Sequence, residues 1–218
     1  MSTTARRIKS EEATVLIAEL TALVGRFHKW IVPAGSYSRQ KMWLGDIEIV
    51  TEPSFGPLTF VPEGEMFEVT QEGVNLHFDR VLGLLEEGVF SKRPDESGQT
   101  ACGQRHQRLL YKDAAVDFFC VLPPAEWGVV LLLRTGPAEL NRYLVTRRMP
   151  RGVVMDAGAF WHGERNEKRE VVNRGSKIST PTEESAFAVF GLDYIEPERR
   201  DSYIDHLVAE GLWSPKHG

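Results

Sequence analysis

The sequence predicts an α/β (α+β) protein with a mixed β-sheet in its N-terminal part and a small C-terminal α+β subdomain. Three observations carry that reading: an apolar repeat at helical spacing near the N-terminus, two short segments of strand character that carry acids, and a composition shift at Pro123 and Pro124. The shift divides the chain into residues 1–123 and 124–218.

Each element follows from its own pattern. In "EEATVLIAELTALVGRF" (11–27), Leu16, Leu20, Leu23 and Phe27 recur at helical spacing, with Ser10 as a cap and Glu11 and Glu12 in the first turn. "WIVPAG" reads as a short strand. "GDIEIV" reads as another, with Ile47 and Ile49 on one face and Asp46 and Glu48 on the other. A second helix is expected over 75–87, where Phe78, Val81, Leu82 and Leu85 recur before Gly88. "VDFFCVL" (116–122) is a buried strand that nonetheless holds Asp117. The stretch 123–148 predicts a helix through Leu133, a break at Thr135–Pro137 and a second helix. Short β-like pieces between 150 and 178 predict a small sheet, and Thr182 caps a short helix that Gly191 stops.

Composition narrows the function. With 218 residues, 42% of them hydrophobic, the chain can bury a core without disulfides, and its two cysteines form no Cys-x-x-Cys pair. Six histidines, His28 to His217, make no His-x-His or His-x-x-x-His pair. There is no signal-like leader and no run of 18 apolar residues, so a cytoplasmic, membrane-free protein is expected. The net charge of −5 argues against a nucleic-acid partner, but residues 134–177 hold ten Lys or Arg against five Asp or Glu. One lobe is basic. A solvated mixed-charge surface is the competing explanation.

The chemistry gathers around "AGSYSRQKMWLGDIEIV" (34–50). A Gly-Ser turn lets backbone N–H groups approach a triphosphate, Arg39 follows, and the next strand delivers two carboxylates on one face. Asp117 is a third acid, in an apolar strand where an unpaired charge is costly. Two divalent cations about 3.5–4 Å apart would offset that cost and serve phosphoryl transfer. Carboxylate ligands of this kind suit Mg2+, with Mn2+ able to substitute.

Five segments in order, "RIKSEEA", "GSYSRQKMWLGDIEIV", "VDFFCV", "WGVVLLLRTGPAELNRYL" and "FGLDYIEPERR", make the chain resemble the family X DNA polymerases, the polymerase beta-like nucleotidyltransferases. The resemblance implies a nucleotidyltransferase palm followed by a nucleotide- and template-binding subdomain. It implies that Asp46, Glu48 and Asp117 ligate metal, with Asp117 helping to deprotonate the primer 3′-hydroxyl. Gly35, Ser36, Arg39 and Gly45, with Arg7, would contact the triphosphate. Thr135, Gly136 and Pro137 would form the nucleotide turn, with a cis bond after Gly136, and Asn141 would make a minor-groove contact. Arg142, Arg147, Arg148 and Arg151 are the candidates for template phosphates. Arginines near a helix end could equally be a solvated terminus.

The chain departs from the family pattern in places. Glu48 replaces an Asp, Ser38 an Arg, Gln40 a Gly, and Leu133 and Arg134 stand where an aromatic pair excludes ribonucleotides. Ala114, Ala115 and Val145 occupy positions of primer- and template-contacting arginines. The chain also begins at the palm, which implies a minimal form without the N-terminal lyase and helix-hairpin-helix regions, and distributive synthesis. The expected function is a monomeric DNA polymerase that adds dNMP from a dNTP to a primer-template or gapped DNA. A template-independent terminal or RNA nucleotidyltransferase and a non-catalytic nucleic-acid-binding module are the alternatives.

Overall fold

Strand β1 (Ile8–Lys9) runs into helix α1 (Ser10–Val24), whose buried residues Ala13, Leu16, Leu20 and Val24 recur every three or four positions. The computed structural model describes residues 6–61, 67–95, 97–168 and 170–215; His217 lies outside them. The α1 face is rotated from the expected one. Leu23 is half-buried and Phe27 sits in a 3-10 turn beyond the helix, because small Ala13 also counts as core and shifts the stripe. Ser10 begins the helix instead of capping it.

The chain continues through β2 (His28–Pro33), α2 (Gly35–Ser38), β3 (Trp43–Leu44), β4 (Ile47–Pro53), β5 (Phe55–Phe60), β6 (Val69–Asn75) and α3 (Leu76–Glu86). Strands β7 (Ser91–Lys92), β8 (Cys102–Gly103), β9 (His106–Tyr111) and β10 (Ala114–Cys120) follow. Helices α4 (Trp127–Thr135) and α5 (Ala138–Tyr143) come next, then a π-helical turn (Leu144–Arg148). Strands β11 (Val153–Asp156), β12 (Ala159–Arg165) and β13 (Val171–Ile178) precede α6 (Glu183–Val189) and α7 (Arg200–Ala209). These elements form two compact units: Met1–Val32 with Leu44–Cys120, and Pro33–Trp43 with Val121–Gly218. The Gly-Ser segment therefore belongs with the C-terminal residues, not with the strands that flank it in sequence.

The first unit is organised by a mixed sheet of order β2-β4-β10-β9-β7, with β8 beside β9. Strand β10 lies in its middle, parallel to β4 and antiparallel to β9, and all seven of its residues are buried. A strand covered on both faces reads as the near-continuous apolar run seen in the sequence. Asn75 caps α3 by accepting a hydrogen bond from the Phe78 amide at 3.1 Å. The buried face of α3 is His77, Val81 and Leu84, one step round from the expected Phe78, Val81, Leu82 and Leu85. The shift comes from His77, a polar residue that enters the core because its ring is satisfied there. His77 bonds the His28 ring at 2.7 Å and the Gln107 side chain at 3.0 Å. Burial pushes His77 down to about 3, with the neighbouring His28 adding to it, and burial likewise lowers His28 to about 4.

The second unit packs α4 to α7 around Val129, Leu132, Leu140, Phe160, Phe187 and Ile204. The sheet β11-β12-β13 is antiparallel throughout, as the hairpin signals imply. Thr182 and Ser185 form a reciprocal capping box on α6. Arg200 is fully buried; it forms an ion pair with Glu183 at 2.8 Å, donates from Nε to the Ile195 carbonyl at 2.9 Å, and lies over the Phe187 and Tyr194 rings. The ion pair offsets part of the cost of burying the guanidinium, while Nη1 and Nη2 make no hydrogen bond among the described residues. Among the described residues no helix is long and apolar enough to cross a membrane.

Candidate active site

Two groups of charged residues, one in each unit, hold most of the expected site. In the first unit the parallel register sets Asp117 on β10 directly beside Glu48 on β4. Paired residues of neighbouring strands point to the same face, and Asp46 lies in the bend just before β4, near enough for the Asp117 charge to act on it. Asp117 is only 3% exposed. Its counter-charges come from the other side of the sheet centre. Arg108 stands directly across from Asp117 on β9 and reaches Oδ1 at 3.4 Å, while the His106 Nε2 bonds the same oxygen at 2.8 Å. Arg93, just past β7, donates to Oδ2.

The electrostatics follow from this cradle. Burial raises the Asp117 carboxyl, but the His106 hydrogen bond and the Arg93, His106 and Arg108 charges overcome it and leave the group below its usual range. Asp46 goes the other way: burial, and then the Asp117 charge, raise its carboxyl, and Arg93 and Arg108 offset only part of that. Closely placed carboxylates whose like charge is incompletely offset form a hard, all-oxygen donor set, which fits Mg2+ or Mn2+. Among the described residues no three His, Cys, Asp or Glu side chains stand as a ready-made ligand cluster. Both Asp117 oxygens are turned to cations.

In the second unit, α2 begins at Gly35, whose φ of 64° is a conformation that favours glycine. Ser36 is half-buried in this short helix, and the Ser38 hydroxyl donates to the Pro33 carbonyl at 2.9 Å. Arg39 closes the helix and donates from Nη1 to the Thr135 carbonyl. Two expected motifs far apart in sequence thus meet within one unit. Gly136 has φ 62° and the Gly136–Pro137 bond is cis, as the resemblance implied. The positive φ is what favours glycine at Gly136, and a Cβ there would stand a tight 3.3 Å from the Arg39 Nη1. Asn141 donates to the Leu133 carbonyl at 2.7 Å, which ties α5 to the end of α4. Its Oδ1 is buried without a hydrogen-bond partner among the described residues. The other Arg39 nitrogen, Nε, meets Asp201 at 3.2 Å, and Lys41 meets the same carboxylate at 3.0 Å.

The remaining expected residues are dispersed. Arg7 and Gly45 are exposed in the first unit. Arg142 pairs with Glu139 at 2.6 Å and Arg148 donates to the Gly191 carbonyl at 3.2 Å, whereas Arg147 and Arg151 are exposed. Trp161 carries Arg174 over its ring at 4.5 Å. Sequence reasoning missed Arg93, His106, Arg108, Lys41 and Asp201. The alternation of His106 and Arg108 with buried Gln107 and Leu109 was the available signal for two of them.

Similarity to known proteins bears on the family. Residues 130–201 match the DNA polymerase beta thumb. Over 179 residues, 78% of the chain, the sequence is 30% identical to DNA polymerase lambda of Rattus norvegicus. Both matches support a family X polymerase-like protein. The chain spans 28% of that relative's length. The mixed α/β architecture and the thumb match agree with an α+β nucleotidyltransferase fold.

Proposed function

We propose that the chain is a divalent-metal-dependent DNA polymerase that adds dNMP to a primer 3′-hydroxyl, suited to filling gaps. The observation that carries this reading is the side-by-side placement of Asp117 and Glu48 on one sheet face with Asp46 two residues upstream, in a chain related to DNA polymerase lambda. Asp46, Glu48 and Asp117 would hold Mg2+, for which Mn2+ could substitute. When bound, such ions supply Lewis-acid stabilisation of charge on the phosphoryl oxygens and lower the pKa of an attacking hydroxyl.

The protein's own groups do the rest. Asp117, ionised well below neutral pH, accepts a hydrogen bond from the primer hydroxyl and aims it for in-line attack. Arg39 neutralises charge on the triphosphate, and Gly35 and Ser36 offer it hydrogen-bond donors. Thr135, Gly136, Pro137 and Asn141 position the sugar and base. Arg142, Arg147, Arg148 and Arg151 supply charge for template phosphates. The aliphatic and charged pair Leu133 and Arg134 favours testing a second reading, transfer of ribonucleotides or untemplated addition.

The test is single-nucleotide incorporation on a one-nucleotide gap and on a single strand, with each dNTP and each rNTP. Incorporation of the templated dNMP on the gapped duplex is the expected result. Equal use of all nucleotides on the single strand would replace it with the terminal-transferase reading, and no incorporation on either substrate would leave a binding module.

A further inference from the structure

The Arg39 guanidinium and the Lys41 ammonium converge on a single atom, Oδ2 of Asp201, at 3.2 and 3.0 Å. Two cations sharing one anionic oxygen reproduce the arrangement in which basic side chains hold a phosphate oxygen. Arg39 is fixed from its other side by the Thr135 carbonyl, so its position does not depend on Asp201 alone. The Lys41 and Asp201 side chains are 44% and 31% exposed, which leaves the seat open to solvent and to an incoming anion.

We propose that Arg39 and Lys41 form a seat for a phosphate group of a nucleoside triphosphate, and that the Asp201 carboxylate fills this seat in the ligand-free protein and yields it to the phosphate. The inference rests on the nucleotide-binding part of the proposed function and adds two residues to it: Lys41 as a phosphate ligand and Asp201 as an internal competitor. Displacement is feasible because Asp201 lies in the first turn of α7, where the helix dipole favours a carboxylate whether or not the two cations remain on it. A phosphate brings more charge and more acceptor oxygens to the same two donors than the carboxylate does. The competitor also keeps the two cations from repelling each other when no ligand is bound.

The experiment is equilibrium binding of inorganic triphosphate, and separately of a dNTP, to the full chain in a metal chelator. Asp201→Asn should bind both ligands about three- to tenfold more tightly than wild type, the gain set by the removal of two partly exposed ion pairs. Lys41→Met should bind both several-fold more weakly and with a shallower salt dependence. Asp201→Ser, too short to reach either cation, should match Asp201→Asn and guards against a carboxamide that keeps the contacts. Unchanged or weaker binding in both Asp201 variants would overturn the proposal, as would a gain confined to the dNTP or unchanged binding in Lys41→Met. The outcome is separable from the catalytic reading. Tighter binding in a protein that incorporates no nucleotide would keep the seat and discard the polymerase, and incorporation without any gain in the variants would do the reverse.

Discussion

The two charged groups are mirror images in sign and opposites in exposure. In the first unit an acid, Asp117, is held by three bases at 3% exposure; in the second, two bases are held by an acid in contact with solvent. In both arrangements an internal counterion sits on the assembled charge. What differs is the energy at stake. A buried ion cannot lose a partner without desolvation cost, whereas a half-exposed pair is screened and replaceable. The acidic group is therefore built into the sheet by neighbouring strands, and the basic one is completed by a residue 162 positions away that can let go.

Removing one counterion from each group gives the direct test of that contrast. Arg93→Met should cost about 1.5–3 kcal/mol of stability, the scale of a hydrogen bond to a buried charge, and should raise the Asp117 carboxyl. Chemical denaturation and carboxyl titration by NMR would check both, and a loss below that range would mean Asp117 is better solvated than its burial implies.

Acid sharpens the comparison in a different way. His28 and His77 have folded-state values near 4 and 3, below the ordinary histidine value of 6.5, so the unfolded chain takes up protons first. The stability they contribute is complete above about pH 6.5 and is lost as pH falls toward 4 and then 3. Asp117, also depressed, adds a loss once pH falls below its unfolded value near 3.8. Amide exchange between pH 7 and 4 should show protection lost in β2, α3 and β9 before α4 and α6, and His77→Gln should blunt the difference. Equal loss in both units would remove the histidine pair as its cause. The smallest effect is expected from Lys41→Met, which should change stability by about 1 kcal/mol or less because its ion pair is exposed. A larger loss would make Asp201 a structural anchor.

The same contrast explains what the sequence could show. The strands that carry Glu48 and Asp117 were legible because alternation and an acid inside an apolar run are local signals, although Asp46, expected on the first of them, lies in the bend before it. The break at Thr135–Pro137 and the small β11-β12-β13 sheet were legible from Gly, Pro and turn chemistry, whereas the cis bond after Gly136 was implied by the family resemblance. The counterions were not. Arg93 and Arg108 resemble surface charges until register places Arg108 across from Asp117, and Asp201 resembles an ordinary first-turn acid until the chain brings it to Arg39. Helix α7 was missed because its apolar residues form a weak stripe, and the β5-β6 hairpin because Gly56, Pro57 and Gly73 interrupt its alternation. The faces of α1 and α3 were each misjudged where a small or polar residue, Ala13 or His77, serves as core.

The proposed role of the buried acid in nucleotidyl transfer is put to the test by Mg2+-dependent incorporation of one dNMP into a gapped duplex, wild type beside Asp117→Ala, with circular dichroism on both. Templated incorporation by the wild type and a loss of at least about a thousandfold in a folded variant are expected, the consequence of several kcal/mol of lost transition-state stabilisation. Undiminished incorporation by a folded Asp117→Ala protein would overturn that role.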